Sequence, residues 1–257
     1  MNSILKYLGK IFCLLALINS YATYAKTYVI GVEDVPYYPL YDFRNGNASY
    51  TSDLFNEFGR QYNHEFEFLP LPIKRFSMWL LEEQIDFKYP DNVRWNDNLF
   101  IDNKHVNTDT FIYSESTIKL VAGTITPVGK HIDRNNLKVL GTLLGFYPTQ
   151  WIKQIENKKV VLYESSSTLV LLQQVLRGQV DGIDIEPSVV NHHLKLLGKP
   201  NALAINRNFT YEVYDYYLST IKHEKVIKQF NQFLKDNQQF LKILREKYQI
   251  IDHRPYE

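Results

Sequence analysis

The segment LRGQVDGIDIEP, residues 176–187, decides the fold of this chain. It has the pattern of a helix end, a glycine stop at Gly178 and a strand that ends on the carboxylates of Asp184 and Glu186. An earlier segment, LEEQIDFKYPD at residues 81–91, repeats the outline of helix, short polar break and strand with a polar end. Two such segments, one in each half of the chain, predict two lobes that face a shared cleft.

The first 25 residues have the pattern of a secretory signal. Lys6 and Lys10 precede an apolar run at 11–18, and the small residues Thr23 and Ala25 stand three and one positions before Lys26. The alternative, a membrane anchor, is disfavoured because the run is shorter than the ~20 apolar residues that span a bilayer. We therefore predict a signal peptide at 1–25 and a periplasmic location.

The composition argues against several classes of partner and cofactor. Removing the two signal lysines leaves 27 of the 29 basic residues against 28 acidic ones, a net charge of −1, which gives no electrostatic reason to expect a nucleic-acid partner. The one cysteine, Cys13, lies inside the predicted signal, so the mature chain would have no disulfide and no thiolate ligand. The seven histidines are scattered apart from His192 and His193, and we expect no metal and no cofactor.

Strands and helices alternate in both halves of the sequence. Strands are predicted at 27–31, 65–69 and 85–89 in the first half and at 137–140, 160–163 and 180–186 in the second, with helices between them. Residues 123–127 break the pattern that follows a strand at 118–122, and we place a lobe crossing there. A strand at 211–221 returns to the first lobe, and a helical pattern at 224–248 carries a possible interruption at 236–238. The alternation predicts α/β lobes with mostly parallel sheets.

In such folds, ligands sit beyond the carboxyl ends of the strands. The side chains near these ends are therefore the candidate ligand contacts, and the helix opening after Pro72 adds Arg75. The full set is Glu33, Tyr37, Tyr38, Arg75, Tyr89, Arg94, Trp95, Thr142, Tyr147, Ser166, Asp184 and Glu186.

Each candidate also has a simpler interpretation. Rings in the aromatic loop at 32–42 could pack on the core instead of stacking on a ligand. Arg75 could be solvated, and the serines at 165–167 could cap a helix. No nucleophile elbow, zinc-protease helix or phosphate loop is present, so no catalytic residues are assigned.

Several short motifs carry a family resemblance across nearly all of the predicted mature chain. They are the strand at 28–32, the Ser-Asp-Leu helix start at 52–54, Arg75, the Ile-Asp pair at 85–86, FIYSE at 111–115, the segment 176–186 and REKY at 245–248. Together they resemble the extracellular solute-binding proteins of family 3, the periplasmic receptors associated with polar amino acid uptake.

The resemblance implies a two-lobed periplasmic binding protein fold of type II, in which each lobe is a mixed sheet flanked by helices and two strands cross between lobes. Lobe 1 would comprise 27–117 plus 216–257, and lobe 2 would comprise 118–215. The protein would be a monomer that closes on a small, amino-acid-like solute for an ABC transporter or a membrane sensor. Arg94 would take the carboxylate-binding role, although the family's Thr-x-x-Arg pattern is absent, and Glu186 or Asp184 would hold the amine.

Two other functions fit the same fold. The first is a periplasmic enzyme such as a dehydratase-like lyase, which would need a cleft carboxylate with a raised pKa beside a proton acceptor, with Glu33 and Glu186 as candidates. The second is a signalling partner without a ligand, which an apolar or occluded cleft would favour.

Overall fold

The computed structural model of the chain describes residues 25–81, 84–95, 100–101, 104–105 and 110–251. The predicted signal at 1–25 lies outside these residues except for Ala25. Within the described residues, no helix has the length and apolar character needed to cross a membrane.

Three parallel strands form the first part of the sheet. They are β1 (Lys26–Glu33), β2 (His64–Leu71) and β3 (Phe87–Asp91), and β1 pairs with both of the others. Helix α1 (Tyr50–Tyr62) begins two residues before the Ser-Asp-Leu segment at 52–54, because Ser49 and Ser52 form a capping box. Its buried face, with Leu54, Phe55 and Phe58, covers the strands.

The helix predicted after Pro72 is instead a 3-10 segment at Ile73–Leu81. Its first turn is tight, since the Arg75 backbone N–H donates to the Pro72 carbonyl at 2.9 Å. Trp79 and Leu80 of this segment are buried. A second short 3-10 turn, Val93–Trp95, follows β3, and β4 (Phe100–Ile101) pairs with β5 (Lys104–His105) beyond it.

A second set of parallel strands lies in the other half of the chain. Strand β8 (Val139–Leu143) pairs with β9 (Val161–Ser165) and with β10 (Gly182–Asp184). A 3-10 turn at Thr149–Trp151 leads into α2 (Ile152–Glu156), and the longer helices are α3 (Thr168–Leu176) and α4 (Pro187–Leu196). Gly178 adopts a positive φ of 76° just after α3, in agreement with the predicted glycine stop.

Two long antiparallel strands join the two sets. Strand β7 (Ile118–Pro127) pairs with β12 (Tyr211–Thr220), and the sheet runs in the order β2-β1-β3-β12-β7-β10-β8-β9. Strand β6 (Ile112–Tyr113) pairs with β12, and β11 (Leu203–Ile205) pairs with β7. The predicted break at 123–127 is wrong, because these residues continue β7 and pair with β10 and β11. The predicted mixed α/β fold class is confirmed.

The C-terminal helical pattern forms two helices, α5 (Glu224–Asp236) and α6 (Gln238–Tyr248), separated at Asn237. The interruption predicted at 236–238 is thus confirmed. Phe230 of α5 stacks on Phe55 of α1 with ring centroids 5.4 Å apart. Tyr248 of α6 donates its hydroxyl to Asp53 of α1 at 2.7 Å.

Candidate functional site

The register of the central strands places two acidic side chains on one face of the sheet. Glu212 of β12 lies opposite Ala122 of β7, and Asp184 of β10 lies opposite Thr124 of β7. Cross-strand partners share a face and so do residues two apart on a strand, so all four side chains are on the same side. The two acids flank β7, separated by two strand spacings, on the order of 10 Å.

Arg94 and Trp95, which follow β3, lie against β12. The Arg94 Nη1 atom is 3.8 Å from Glu212 Oε2, and the two side chains are 56% and 44% exposed. The ring of Trp95 lies 6.0 Å from that of Tyr216 and 6.5 Å from that of Tyr214, between centroids. A guanidinium, a carboxylate and aromatic faces therefore meet at β12, and the second carboxylate, Asp184, lies on the same face across β7.

Asp184 is half-buried, and its carboxylate accepts no hydrogen bond from any group that the structure describes. Burial raises the pKa of Asp184 to about 7, and the negative charge of Glu212 adds to the increase. Its backbone is held in place, because the Thr142 hydroxyl donates to the Asp184 carbonyl at 3.0 Å. Asp184 is thus a positioned carboxylate without an ion-pair partner among the described residues.

Glu33 stands at the carboxyl end of β1 and is 7% exposed. Burial raises its pKa to about 7, against the lowering effects of a hydrogen bond from the Tyr41 hydroxyl and of the Lys88 charge. Glu33 is therefore partly protonated at neutral pH.

Tyr37 links the aromatic loop to the second half of the chain. Its hydroxyl accepts a hydrogen bond from the Glu186 backbone N–H at 2.7 Å, and its ring meets that of Phe146 edge to face at 5.2 Å. The side chain is almost fully buried at 2% exposure. This contact draws the 35–41 loop against the start of α4.

The Glu186 carboxylate is directed at its own helix. It accepts hydrogen bonds from the Ser188 N–H at 2.6 Å, the Val189 N–H at 3.1 Å and the Ser188 hydroxyl at 3.0 Å. Burial raises the pKa of Glu186 to about 7 although these bonds lower it. The side chain caps α4, a placement that the sequence prediction did not foresee.

Tyr214 lies where the predicted contacts converge. The charges of Glu186, Asp184 and Glu33 all contribute, after burial, to raising the pKa of Tyr214. Three predicted acids, Glu33, Asp184 and Glu186, therefore act electrostatically on Tyr214, and the Trp95 ring lies beside it. The other three predicted residues in this region each contact one of its groups: Tyr37 contacts Glu186, Thr142 contacts Asp184 and Arg94 contacts Glu212.

The other five predicted contacts lie elsewhere. Tyr38 packs on His192 with ring centroids 4.3 Å apart and lines an outer cavity of about 480 Å³. Tyr89 is buried against Phe55, and its hydroxyl lies 3.0 Å from Thr117 Oγ1. Three are exposed at the surface: Arg75, Tyr147 and Ser166.

The sequence prediction missed Glu212, Tyr214, Tyr216 and Tyr41. The first three alternate along β12, and period-two spacing predicts that they share one face of a strand. That signal was present in the sequence. The sequence alone does not show that β12 borders the site.

A buried ion pair lies close to Glu33. Lys88 Nζ is 3.0 Å from Asp91 Oδ2 and 4.0 Å from the centroid of the Phe76 ring, and both charged side chains are fully buried. The Ser219 hydroxyl also donates to Asp91 at 2.5 Å. Burial lowers the pKa of Lys88 and raises the pKa of Asp91.

Across the described part of the chain, no group of three or more His, Cys, Asp or Glu side chains is arranged to hold a metal ion.

Comparison with known proteins gave results only at the level of structure. No protein-family model matches the chain, and none of the curated proteins matches it either. Among solved structures, one that matches is a substrate-binding protein of an ABC uptake transporter from Streptococcus pneumoniae, with bound histidine. It is 15% identical to this chain, the TM-score is 0.66, and the alignment covers 90% of this chain and 96% of that protein. An ancestral arginine-binding protein bound to arginine is 16% identical, with a TM-score of 0.67 over 88% and 99% of the two chains. A periplasmic binding protein of an arginine transport system from Legionella pneumophila is 17% identical, with a TM-score of 0.59 over 87% and 100%.

These similarities extend over nearly the whole of each chain. This chain therefore has the two-lobed α/β fold of the substrate-binding proteins of ABC transporters, as the sequence resemblance implied. At these identities the likeness defines the fold, and the function has to be argued from the site.

Proposed function

We propose that this protein binds a small, polar, amino-acid-like solute between its two lobes and delivers it to an ABC transporter or a membrane sensor. The observation that carries the proposal is the pairing of Arg94 with an acidic face that includes the uncompensated Asp184 carboxylate. A guanidinium offers a fork of donors for a carboxylate, and a carboxylate accepts from an ammonium group. A zwitterionic solute supplies both partners.

The proposed roles follow from this arrangement. Arg94 would exchange its 3.8 Å contact with Glu212 for the carboxylate of the solute. Asp184 would hold the amine, and Trp95 and Tyr214 would cover the body of the solute. Glu186 would act through α4, whose N-terminus it caps, and through its backbone N–H to Tyr37.

The remaining parts of the proposal concern the whole chain. We place lobe 1 at 27–117 plus 216–257 and lobe 2 at 118–215, since β7 and β12 are the strands that pair with both sets of parallel strands. A monomer acting in the periplasm agrees with the signal-like sequence at 1–25 and with structural neighbours described as periplasmic binding proteins.

The site favours binding over the two alternatives. An enzyme would need a proton acceptor beside Glu33 or Glu186, but the described groups around these carboxylates are donors: the Tyr41 hydroxyl, two backbone N–H groups and the Ser188 hydroxyl. A partner without a ligand would not need a positioned carboxylate free of hydrogen bonds. The polar, acidic lining of the site supports a solute-binding role.

A thermal-shift panel of amino acids, small peptides, sugars and organic acids, followed by calorimetric titration of each hit, tests the proposal. We expect at least one amino-acid-like solute to raise the melting temperature, because a ligand that binds only the folded state stabilises it. Arg94→Gln should weaken that hit, whereas the matched control Arg60→Gln, an exposed arginine paired with Glu57 on α1, should not. A panel with no hit, or equal effects of the two substitutions, would contradict the proposal.

A further inference from the structure

The outer cavity lies apart from the site proposed for the solute. Its volume of about 480 Å³ is within the range of small-molecule sites. One wall is the loop after β1, with Tyr38 and Asp42, and the other is α4, with His192 and His193. Within the described part of the chain, the groups assigned to the solute are not among its lining residues. A ligand in this cavity would therefore be additional to the solute.

Asp42 is the acidic group of the outer cavity, and its own loop fixes its position. The residue is only 5% exposed, and its two carboxylate oxygens accept hydrogen bonds from Asn45 Nδ2 at 2.7 Å and from Asn47 Nδ2 at 2.6 Å. Both carboxamide groups also line the cavity, and each retains its oxygen as an acceptor. This wall therefore presents a negative charge and amide oxygens.

Helix α4 adds a further acceptor from the opposite wall. His193 Nδ1 lies 2.9 Å from the Val189 carbonyl oxygen, which can only accept, so Nδ1 carries the proton and Nε2 of the neutral ring is an acceptor. Burial lowers the pKa of both His192 and His193, which favours neutral rings at pH 7. The His192 ring packs on Tyr38 and so joins the two walls.

The basic side chains around the outer cavity are engaged elsewhere. Arg44 is paired with Asp34 at 2.8 Å, and the Lys195 ammonium group donates to the side chain of Gln249. Among the described residues that line the cavity there is no lysine and no arginine. Asp42 is therefore bound by neutral donors, and the cavity itself supplies no cation to it.

These groups match a ligand that brings both donors and positive charge. A primary ammonium group has three N–H donors and no acceptor. A metal ion fits less well, because no three His, Cys, Asp or Glu side chains in the described part of the chain are arranged to hold one. An organic ammonium compound needs only the acceptors that the two walls already present.

From this geometry we propose that the outer cavity is a second binding site, which takes a small organic compound with a primary ammonium group and pairs that group with Asp42. The proposal stands independently of the function proposed for the site between the lobes. Because its walls lie in the two proposed lobes, the bound compound would also join the loop after β1 to α4.

Calorimetric titration with putrescine, a linear diamine, and with 1,4-butanediol, its neutral analogue of similar length, tests the proposal. The unmodified protein should bind putrescine at least ~10-fold more tightly than the diol, because only the diamine supplies a charge for Asp42. Asp42→Asn should weaken putrescine binding by ~10-fold or more. Leu196→Trp, at a lining position that is 68% exposed, should obstruct the cavity and also weaken binding. The control Asp236→Asn, at an exposed position on α5, should leave binding unchanged.

Asp184→Asn separates the outer cavity from the site between the lobes, which is acidic as well. Putrescine binding that persists in Asp184→Asn and is weakened in Leu196→Trp supports the proposal. Binding that is lost in Asp184→Asn but kept in Leu196→Trp, equal binding of the diol, or no binding of putrescine would overturn it. Melting curves of each variant distinguish lost binding from lost folding, and Leu196→Trp decides if Asp42→Asn does not fold.

The two proposals fail in different experiments. Leu196→Trp should bind any hit of the thermal-shift panel as tightly as the unmodified protein does, because Leu196 lies outside the site between the lobes. A panel without a hit contradicts the proposed function, whereas the putrescine titrations alone decide the outer cavity.

Discussion

Buried ionisable side chains set the electrostatics of this protein at the residue scale. Lys88 and Asp91 are fully buried as a pair, and Glu33 lies beside them at the end of β1. A buried pair does not by itself stabilise a fold, but removing one partner leaves a costly uncompensated charge. The fold therefore requires the Lys88 ammonium group whenever Asp91 is ionised.

Lys88→Met tests this dependence. The substitution preserves most of the side-chain volume but leaves Asp91 without its cation, so we expect the free energy of unfolding to fall by about 3–5 kcal/mol in urea denaturation. Lys228→Met, in an exposed pair with Glu224, is the matched control and should be neutral within error. Equal, small effects at the two positions would show that the Lys88 pair is not required.

Glu33 gives the protein a pH dependence with a defined sign. Its pKa is about 7 in the folded protein against 4.5 as the ordinary value, so the folded state binds more protons between these pH values. The free energy of unfolding should therefore fall as the pH rises from about 4.5 to about 7.

Glu33→Gln should remove up to about 3 kcal/mol of that fall, at ~1.4 kcal/mol per pKa unit. Urea unfolding of both proteins at pH 5, 6, 7 and 8 measures the difference, with Glu156→Gln, at an exposed position, as the control. Asp184 and Glu186 would still contribute to the pH dependence of the variant, because their pKa values are also raised to about 7. Parallel stability curves for the unmodified protein and Glu33→Gln would contradict the assignment.

At the scale of elements, α1 is fitted closely to β2. A Cβ atom added at Gly59 would lie 2.6 Å from the backbone carbonyl oxygen of His64, the first residue of β2. Helix propensity alone favours alanine over glycine by ~1 kcal/mol in a helix interior. Here the added Cβ atom would contact backbone, which does not move as readily as a side chain. We therefore expect the steric clash to outweigh the gain in helix propensity.

Gly59→Ala should accordingly lower the free energy of unfolding by roughly 1–3 kcal/mol despite the better helix propensity of alanine. Chemical denaturation followed by circular dichroism measures the change. Asn56→Ala, at an exposed position on the same helix, should be neutral or slightly stabilising. A stabilised Gly59→Ala variant would show that α1 is free to shift away from β2.

At the scale of the whole molecule, Tyr37 is one of the residues that join the two halves of the chain. Its hydroxyl is the acceptor for the Glu186 N–H at the start of α4, and its ring contacts Phe146. Because the acceptor lies in the 35–41 loop and the donor in the other half, this hydrogen bond holds the loop against the start of α4.

Tyr37→Phe keeps the ring but leaves a buried N–H without its acceptor. We expect a loss of about 1–3 kcal/mol in the free energy of unfolding and a larger radius of gyration in small-angle X-ray scattering. Tyr147→Phe, at a side chain that is 71% exposed, is the control and should change neither quantity. An unchanged radius of gyration in Tyr37→Phe would show that other contacts hold the lobes together.

The sequence by itself determined the local structure and the fold class. Strand and helix alternation, the glycine stop at Gly178 and the interruption near Asn237 depend on propensity and periodicity, which are local properties. The two-lobed fold followed from these elements and the short family motifs. The continuation of β7 through 123–127 did not, because its partners β10 and β11 are distant in sequence.

Only the tertiary structure decided which side chains meet. The register of β12, β7 and β10 sets Glu212 and Asp184 on one face of the sheet, on either side of β7, and the 3-10 turn after β3 brings Arg94 to Glu212. Burial then directed the Glu186 carboxylate to the backbone of its own helix and raised the pKa of three acids to about 7. Cross-strand register and desolvation depend on residues far apart in the chain, so no local pattern in the sequence encodes them.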